Sequence, residues 1–205
     1  MPSVITHAAV PLALWCAADR GRIPPRLLAA GVIAEMLPDA DVLAFALHIP
    51  YADAFGHRGA SHSLLFACVL AALAAMLHGF GRGRPWSAPH SSGSRRPWSA
   101  VLCQPRLAST VQAAAFVFVC AASHPLLDAM TSGGLGVALA WPWSEQRFFA
   151  PWRPIRVSPF APQFFSARGL ATLLSELRWV WLPLATAVVA WKLIQPAPAA
   201  PRDLS

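Results

Sequence analysis

The sequence predicts an all-α fold: a multi-spanning helical membrane bundle with a histidine and aspartate site at its helix ends. Three observations lead there. Charged residues are 12% and apolar residues 56% of the chain, against roughly 25% and 45–50% in ordinary soluble domains. The apolar residues are concentrated in five runs, separated by loops rich in Pro, Gly and Arg. Nine tryptophans suit helix ends at membrane–water interfaces, where indole rings are favoured. Helices with so few polar faces cannot clothe a soluble domain.

The first run, Val4 to Ala18, is short for a span and ends at the basic, proline-bearing stretch Asp19 to Arg26. The second, Leu27 to Leu37, breaks at Pro38 and resumes from Val42 to Ile49. Tyr51 to Ala60 reads as a loop. The third run begins at Ser61, placed as an N-cap, and continues to Leu77. Residues 79–106 read as a disordered basic linker, rich in Gly, Pro, Ser and Arg, with PWSA occurring twice. The fourth run covers Leu107 to Met130. Thr131 to Gly136 is a Gly-rich turn, and Trp141 to Arg168 is irregular. The last run, Leu170 to Ile194, is expected to kink at Pro183. Residues 195–205 read as a disordered tail, leaving a single helical membrane domain over 1–194.

The second run (counted through Pro38), the third, the fourth and the last approach or exceed the ~18–20 residues that cross a bilayer. The loops Arg20–Arg26 and Arg82–Arg106 carry eight arginines and the opposite side six, which places the two loops on the cytoplasmic side. The net charge of +7 does not point to nucleic acid, because the arginines cluster between apolar runs and no nucleic-acid motif is present. Cys16, Cys68, Cys103 and Cys120 form no CxxC pair and read as inert thiols. No cleavable signal peptide is expected, since the N-terminus lacks a basic region and His7 interrupts its apolar stretch.

Alternating the runs up and down brings His7, Asp39, Asp41, His57, His62, His124, Asp128 and Glu176 to one side, away from the arginine loops. Ionisable groups in membrane segments are costly unless paired or liganded. Imidazole with carboxylate is a ligand set for zinc, and also suits iron or manganese. His57, His62, His124, Asp128 and Asp39 are therefore the expected ligands of a divalent metal ion, zinc first. His124 and Asp128 are spaced to share one helix face, although Pro125 disfavours helix at His124, which is expected at a kink or a helix start. Asp39 and Asp41 follow Pro38 on a turn. One can ligate while the other orients a histidine, or either can serve as general base. Arg58 can hold an anionic substrate. Glu176 reads as an ion-pair partner of Arg178 or Arg168. His48, His78 and His90, like His7 taken alone, read as interfacial or solvated.

Several ordered motifs carry a resemblance. LPDAD (Leu37–Asp41), HRGASH (His57–His62) and HPLLDAMTSGG (His124–Gly134), with Thr6-His7 upstream and WPW (Trp141–Trp143) downstream, look like the YdjM-type family. Its members are described as LexA-regulated, inner-membrane-associated metal-dependent hydrolases. The resemblance covers roughly residues 1–160 and implies a multi-pass protein of the bacterial inner membrane. Ala60-Ser61 departs from the family, which often has Thr before the second histidine. A remoter likeness to zinc-dependent phospholipase C implies His7, Asp39, His57, His62, His124 and Asp128 as metal ligands, with Glu176 an extra.

The expected function is metal-dependent hydrolysis. A bound metal lowers the pKa of its water to about 7. His57, His62, His124 and Asp128 would ligate, Asp39 or Asp41 would ligate or act as base, and Arg58 would hold a phosphate ester. Membrane lipids and a small-molecule or lipid-linked substrate are the expected partners. The alternatives are a non-catalytic membrane protein with a structural metal site and a metal or ion transporter. A transporter predicts polar residues at mid-membrane depth and internal repeats, which the sequence does not show.

Overall fold

The computed structural model describes residues 1–19, 22–82, 109–159 and 163–195. Arg20, the expected linker from residue 83 onward with His90 and Cys103, and the expected tail from residue 196 lie outside the described residues. In chain order the elements are α1 (Val4–His7), α2 (Ala9–Ala17), α3 (Pro25–Met36), a 3-10 turn (Leu37–Val42) and α4 (Leu43–Ala46). A second 3-10 turn (Ala60–His62) leads into α5 (Leu64–Arg82), and α6 is Thr110–Ala129. A third 3-10 turn (Gln163–Phe165) precedes α7 (Ala167–Glu176), a π-helical turn (Leu177–Trp181) and α8 (Leu182–Ile194). The described residues contain no strand. Two isolated bridges, Thr131 with Ile155 and Val137 with Phe148, tie down the irregular segment after α6.

The core lies where α3, α5 and α6 meet. It is built from small residues (Ala34, Ala67, Ala113, Ala121, Ala122 and Cys120) around Leu27, Phe116 and Val117. Small residues let helix backbones approach closely. Gly31 marks the closest point: a Cβ there would lie 2.5 Å from Phe116 Cε1 and 3.0 Å from Cys120 Sγ. α6 starts at a capping box. Ser109 Oγ accepts from Gln112 N at 3.1 Å, and Ser109 N donates to Gln112 Oε1 at 2.8 Å.

Among the described residues, two helices are long and apolar enough to cross a membrane: Thr110–Ala129 and the continuous Ala167–Ile194. The latter hides only 6% of its most apolar window within the protein; Val180 is buried with Trp179, Trp181 and Leu184 packed beside it, while Leu182, Val189, Trp191, Leu193 and Ile194 face outward. Val4–Ala17 and Leu64–Gly79 are shorter apolar helices. The second run does not qualify, because Pro38, with no N–H for an α-helical ladder, sits in the tight turn between α3 and α4. Pro183 is accommodated by the π-helical turn just before it, an adjustment that re-routes backbone bonds freed by a membrane proline.

Two boundaries differ from expectation. Ser61 does not cap α5; the 3-10 turn moves the start two residues on, and Ser63 Oγ accepts from Phe66 N at 3.1 Å. At its other end α5 continues through Gly79 to Arg82, into the stretch read as linker.

Candidate metal centre

Pro38 begins a tight turn that sends two carboxylates in different directions. Asp39 points inward, toward α6. There His124 and Asp128 share one face, because α6 runs through Pro125 to Ala129 rather than starting there. His62, at the end of the turn before α5, completes a group with Asp39, His124 and Asp128. All four are buried, and one ligand atom from each lies within 4.8 Å of the others.

The distances suit a tetrahedral ion. Metal–ligand bonds of about 2.0–2.1 Å imply ligand–ligand edges of about 3.3–3.4 Å. Here His62 Nε2 lies 3.0 Å from His124 Nε2 and 3.3 Å from Asp128 Oδ2. Asp39 Oδ1 lies 3.5 Å from His124 Nε2 and 4.0 Å from His62 Nε2. Both oxygens of Asp39 are buried with no hydrogen-bond partner, and those of Asp128, also without a hydrogen bond, have only ion-pair neighbours, among them Arg58 Nε at 3.0 Å and the Met1 nitrogen at 3.8 Å. Leaving such atoms unsatisfied costs more than a hydrogen bond gains, so a bound cation would resolve the deficit.

Asp41 points the other way and gathers donors. Its Oδ1 lies 2.5 Å from His57 Nδ1. Its Oδ2 accepts from Ser61 Oγ at 2.7 Å and Arg58 N at 2.9 Å, and lies 3.1 Å from His62 Nδ1. Burial pushes this carboxyl up, but bonds from His57, His62 and Ser61 outweigh it and hold Asp41 below the ordinary carboxylate range. His57 thus sits on Asp41, outside the four-residue group, with its ring edge-on to Tyr51 at 5.2 Å.

Arg58 is turned inward. Its backbone has φ 64, an uncommon value for a side-chain-bearing residue, held by the bond from Arg58 N to Asp41 and by Ala138 N donating to Arg58 O at 3.1 Å. Its guanidinium donates to Gly133 O at 3.0 Å and Thr131 Oγ1 at 3.1 Å, with Nε 3.0 Å from Asp128 Oδ2. Gly134, at φ +91, allows this: a Cβ there would lie 2.8 Å from Arg58 Nη1 and from Tyr51 Oη. Arg147 fastens the loop that carries His57, donating to the carbonyls of His57, Tyr51 and Asp53 at 3.1, 3.3 and 2.8 Å.

His7 is fully buried and stacks on His124, with ring centroids 4.0 Å apart. The Met1 nitrogen lies 3.8 Å from Asp128 Oδ1. Glu176 corrects its expectation. It takes donors from Ser3 N (2.5 Å), Ser3 Oγ (2.5 Å) and Thr6 Oγ1 (2.7 Å), and Thr6 Oγ1 accepts from Trp181 Nε1 at 3.0 Å. The packing of α1 against the last helix buries the acid there, while the Arg178 guanidinium lies over Trp179. A further buried acid, Glu35, was not among the expected site residues. It is one helical turn before Asp39 and accepts from Ser123 Oγ at 3.0 Å. An acid inside an apolar run was its signal in the sequence.

Beside the turn lies an open groove of about 380 Å³, lined mostly by apolar side chains including Leu37, Phe55 and Phe66, with Asp41 and Ser61 along one edge.

A family model described as "YdjM inner membrane protein" matches residues 1–199. The chain is similar to "Inner membrane protein YbcI" of Escherichia coli (strain K12), 45% identical over 184 residues, which covers 89% of this chain and 92% of the relative. No solved structure matches the chain.

Proposed function

The chain belongs to the YdjM inner membrane protein family, and from that premise we propose a multi-pass inner-membrane hydrolase whose Asp39, His62, His124 and Asp128 hold a divalent cation, zinc by preference. One observation carries the reading: four buried imidazole and carboxylate groups bring one ligand atom each within 4.8 Å of the others, and the oxygens of Asp39 there have no hydrogen-bond partner. When bound, such an ion supplies Lewis acidity and a water acidic enough to ionise near neutral pH.

The chain's own residues divide the work. Asp41 accepts hydrogen bonds from the Nδ1–H groups of His57 and His62, which leaves His62 Nε2 free to ligate. Arg58 balances the charge of Asp128. Asp39, at 8% the most exposed of the four ligands, is the ligand closest to solvent. The groove past Leu37, Phe55 and Phe66 supports an apolar, lipid-linked phosphoester as substrate. Four membrane segments suit the two long helices together with α5 and the α1–α2 arm. The outward apolar face of α8 supports insertion.

A second reading, a structural ion, is favoured by the burial of all four ligands and by the inward turn of Arg58. Elemental analysis and phosphoester and phospholipid hydrolysis assays on the detergent-purified full chain separate the readings. Hydrolysis expects a bound ion, lost in His124→Ala and Asp128→Ala, and turnover that stops on chelation. A bound ion with no turnover, and a lower melting temperature on chelation, selects the structural role. Wild-type protein that takes up no ion ends both.

A further inference from the structure

We propose that this site holds two divalent cations rather than one, bridged by the carboxylates of Asp39 and Asp128, with His7 ligating the second. The inference rests on the metal-centre reading above and adds to it a position outside the four-residue group.

The two aspartates each turn one oxygen to either side. Asp39 Oδ1 faces His124 and His62, at 3.5 and 4.0 Å, while Asp39 Oδ2 faces His7 Nε2 at 3.6 Å. Asp128 Oδ2 faces His62 Nε2 at 3.3 Å, while Asp128 Oδ1 lies 4.0 Å from His7 Nε2. Three atoms, His7 Nε2, Asp39 Oδ2 and Asp128 Oδ1, thus form a second ligand set of one imidazole and two carboxylates. All three are buried and have no hydrogen-bond partner, as is also true of His7 Nδ1. A buried imidazole with both nitrogens unsatisfied is costly as a mere packing residue.

The ring geometry separates the two positions. An imidazole binds a metal in its own plane, with Zn–N about 2.0–2.1 Å. His62 and His124 are inclined by 67° with Nε2 atoms 3.0 Å apart, so their lone pairs can meet at one ion. His7 and His124 are stacked 4.0 Å apart and inclined by only 20°. Planes so nearly parallel share no point within a bond length of both nitrogens. Each ring must serve a different ion, side by side, at about the 3.5–4 Å spacing of two-metal sites. Thr6, the residue before His7, is clamped between Glu176 and Trp181, and this clamp fixes His7 in that stack.

The test is a Mn²⁺ titration of the full chain, detergent-purified and stripped of metal, followed by equilibrium binding and electron paramagnetic resonance. Wild type is expected to bind two equivalents, the second attenuating the six-line signal of the first through exchange coupling. His7→Gln is expected to bind one equivalent with an uncoupled signal, and His124→Ala to lose the first position. One equivalent in wild type overturns the second position and leaves the single-ion reading standing. Two equivalents in His7→Gln overturn the role of His7, and two uncoupled equivalents in wild type overturn the bridging. No binding in wild type overturns the parent reading as well. If His7→Gln does not fold, the wild-type stoichiometry and coupling still decide.

Discussion

The Asp41 carboxylate meets His62 Nδ1 at 3.1 Å, and this contact turns the opposite nitrogen of the ring toward His124 and Asp128. A ligating histidine held this way has its tautomer and orientation set before any ion arrives. Asp41→Asn is therefore expected to weaken metal affinity about 10–100-fold without abolishing it, measured by chelator competition in detergent. Unchanged affinity would show that the ring is oriented by packing alone.

The same carboxylate sets a pH dependence. A group whose folded pKa is depressed stabilises the fold above its unfolded pKa, about 3.9 for Asp. That contribution is lost as pH falls through the folded value. Asp41 is depressed by the bonds from His57, His62 and Ser61. Wild type is thus expected to melt above Asp41→Asn near neutral pH, with the gap closing at the acid end, below about pH 4. Thermal melts of both proteins from neutral to acid pH check the sign.

Gly134 makes room for Arg58. Gly134→Ala adds a methyl where Arg58 Nη1 and Tyr51 Oη are 2.8 Å away, at φ +91, and is expected to cost about 1–3 kcal/mol with a matching fall in melting temperature. Gly79 is the control. A Cβ there meets nothing within 4 Å, and Gly79→Ala in this helical position is expected to be neutral or stabilising by up to about 1 kcal/mol.

Thr6 links Glu176 to Trp181. Thr6→Ala removes a donor to the carboxylate and leaves the indole N–H without its acceptor, at an expected cost of about 1–3 kcal/mol. Thr6→Ser should recover most of that. Melting temperature with tryptophan fluorescence reports the effect, and equal loss in both variants would point to the methyl group instead.

Parts of the site were legible because local geometry fixes them. The spacing of His124 and Asp128 puts both on one face of α6, though only because the helix runs on through Pro125, where the sequence led to a kink or a helix start, and Pro38 forces a turn that splits Asp39 from Asp41. The helix-end convergence followed from alternating the runs. What stayed hidden depends on long-range pairing. Glu176 finds Ser3, which is 173 positions away, whereas the nearby arginines were the obvious partners in the sequence. Arg58 reads from the sequence as a holder of an anionic substrate or an interfacial anchor, and its inward turn onto Gly133, Thr131 and Asp128 appears only in the fold. The division of labour between Asp41 and His57 likewise needed the fold, because nothing in the HRGASH segment says which histidine faces the cluster.

The order in which the ligands occur along the chain has a consequence for biogenesis. His7, Asp39 and His62 emerge from the ribosome well before His124 and Asp128, with α5 between the two groups. A nascent chain that ends at α5 carries only half of the four-residue group, and α6 supplies the other half. Metal capture would therefore come after the bundle has assembled. Ion occupancy would then report completed membrane integration, and the cation would act as a latch on the finished protein rather than as a nucleus for its folding.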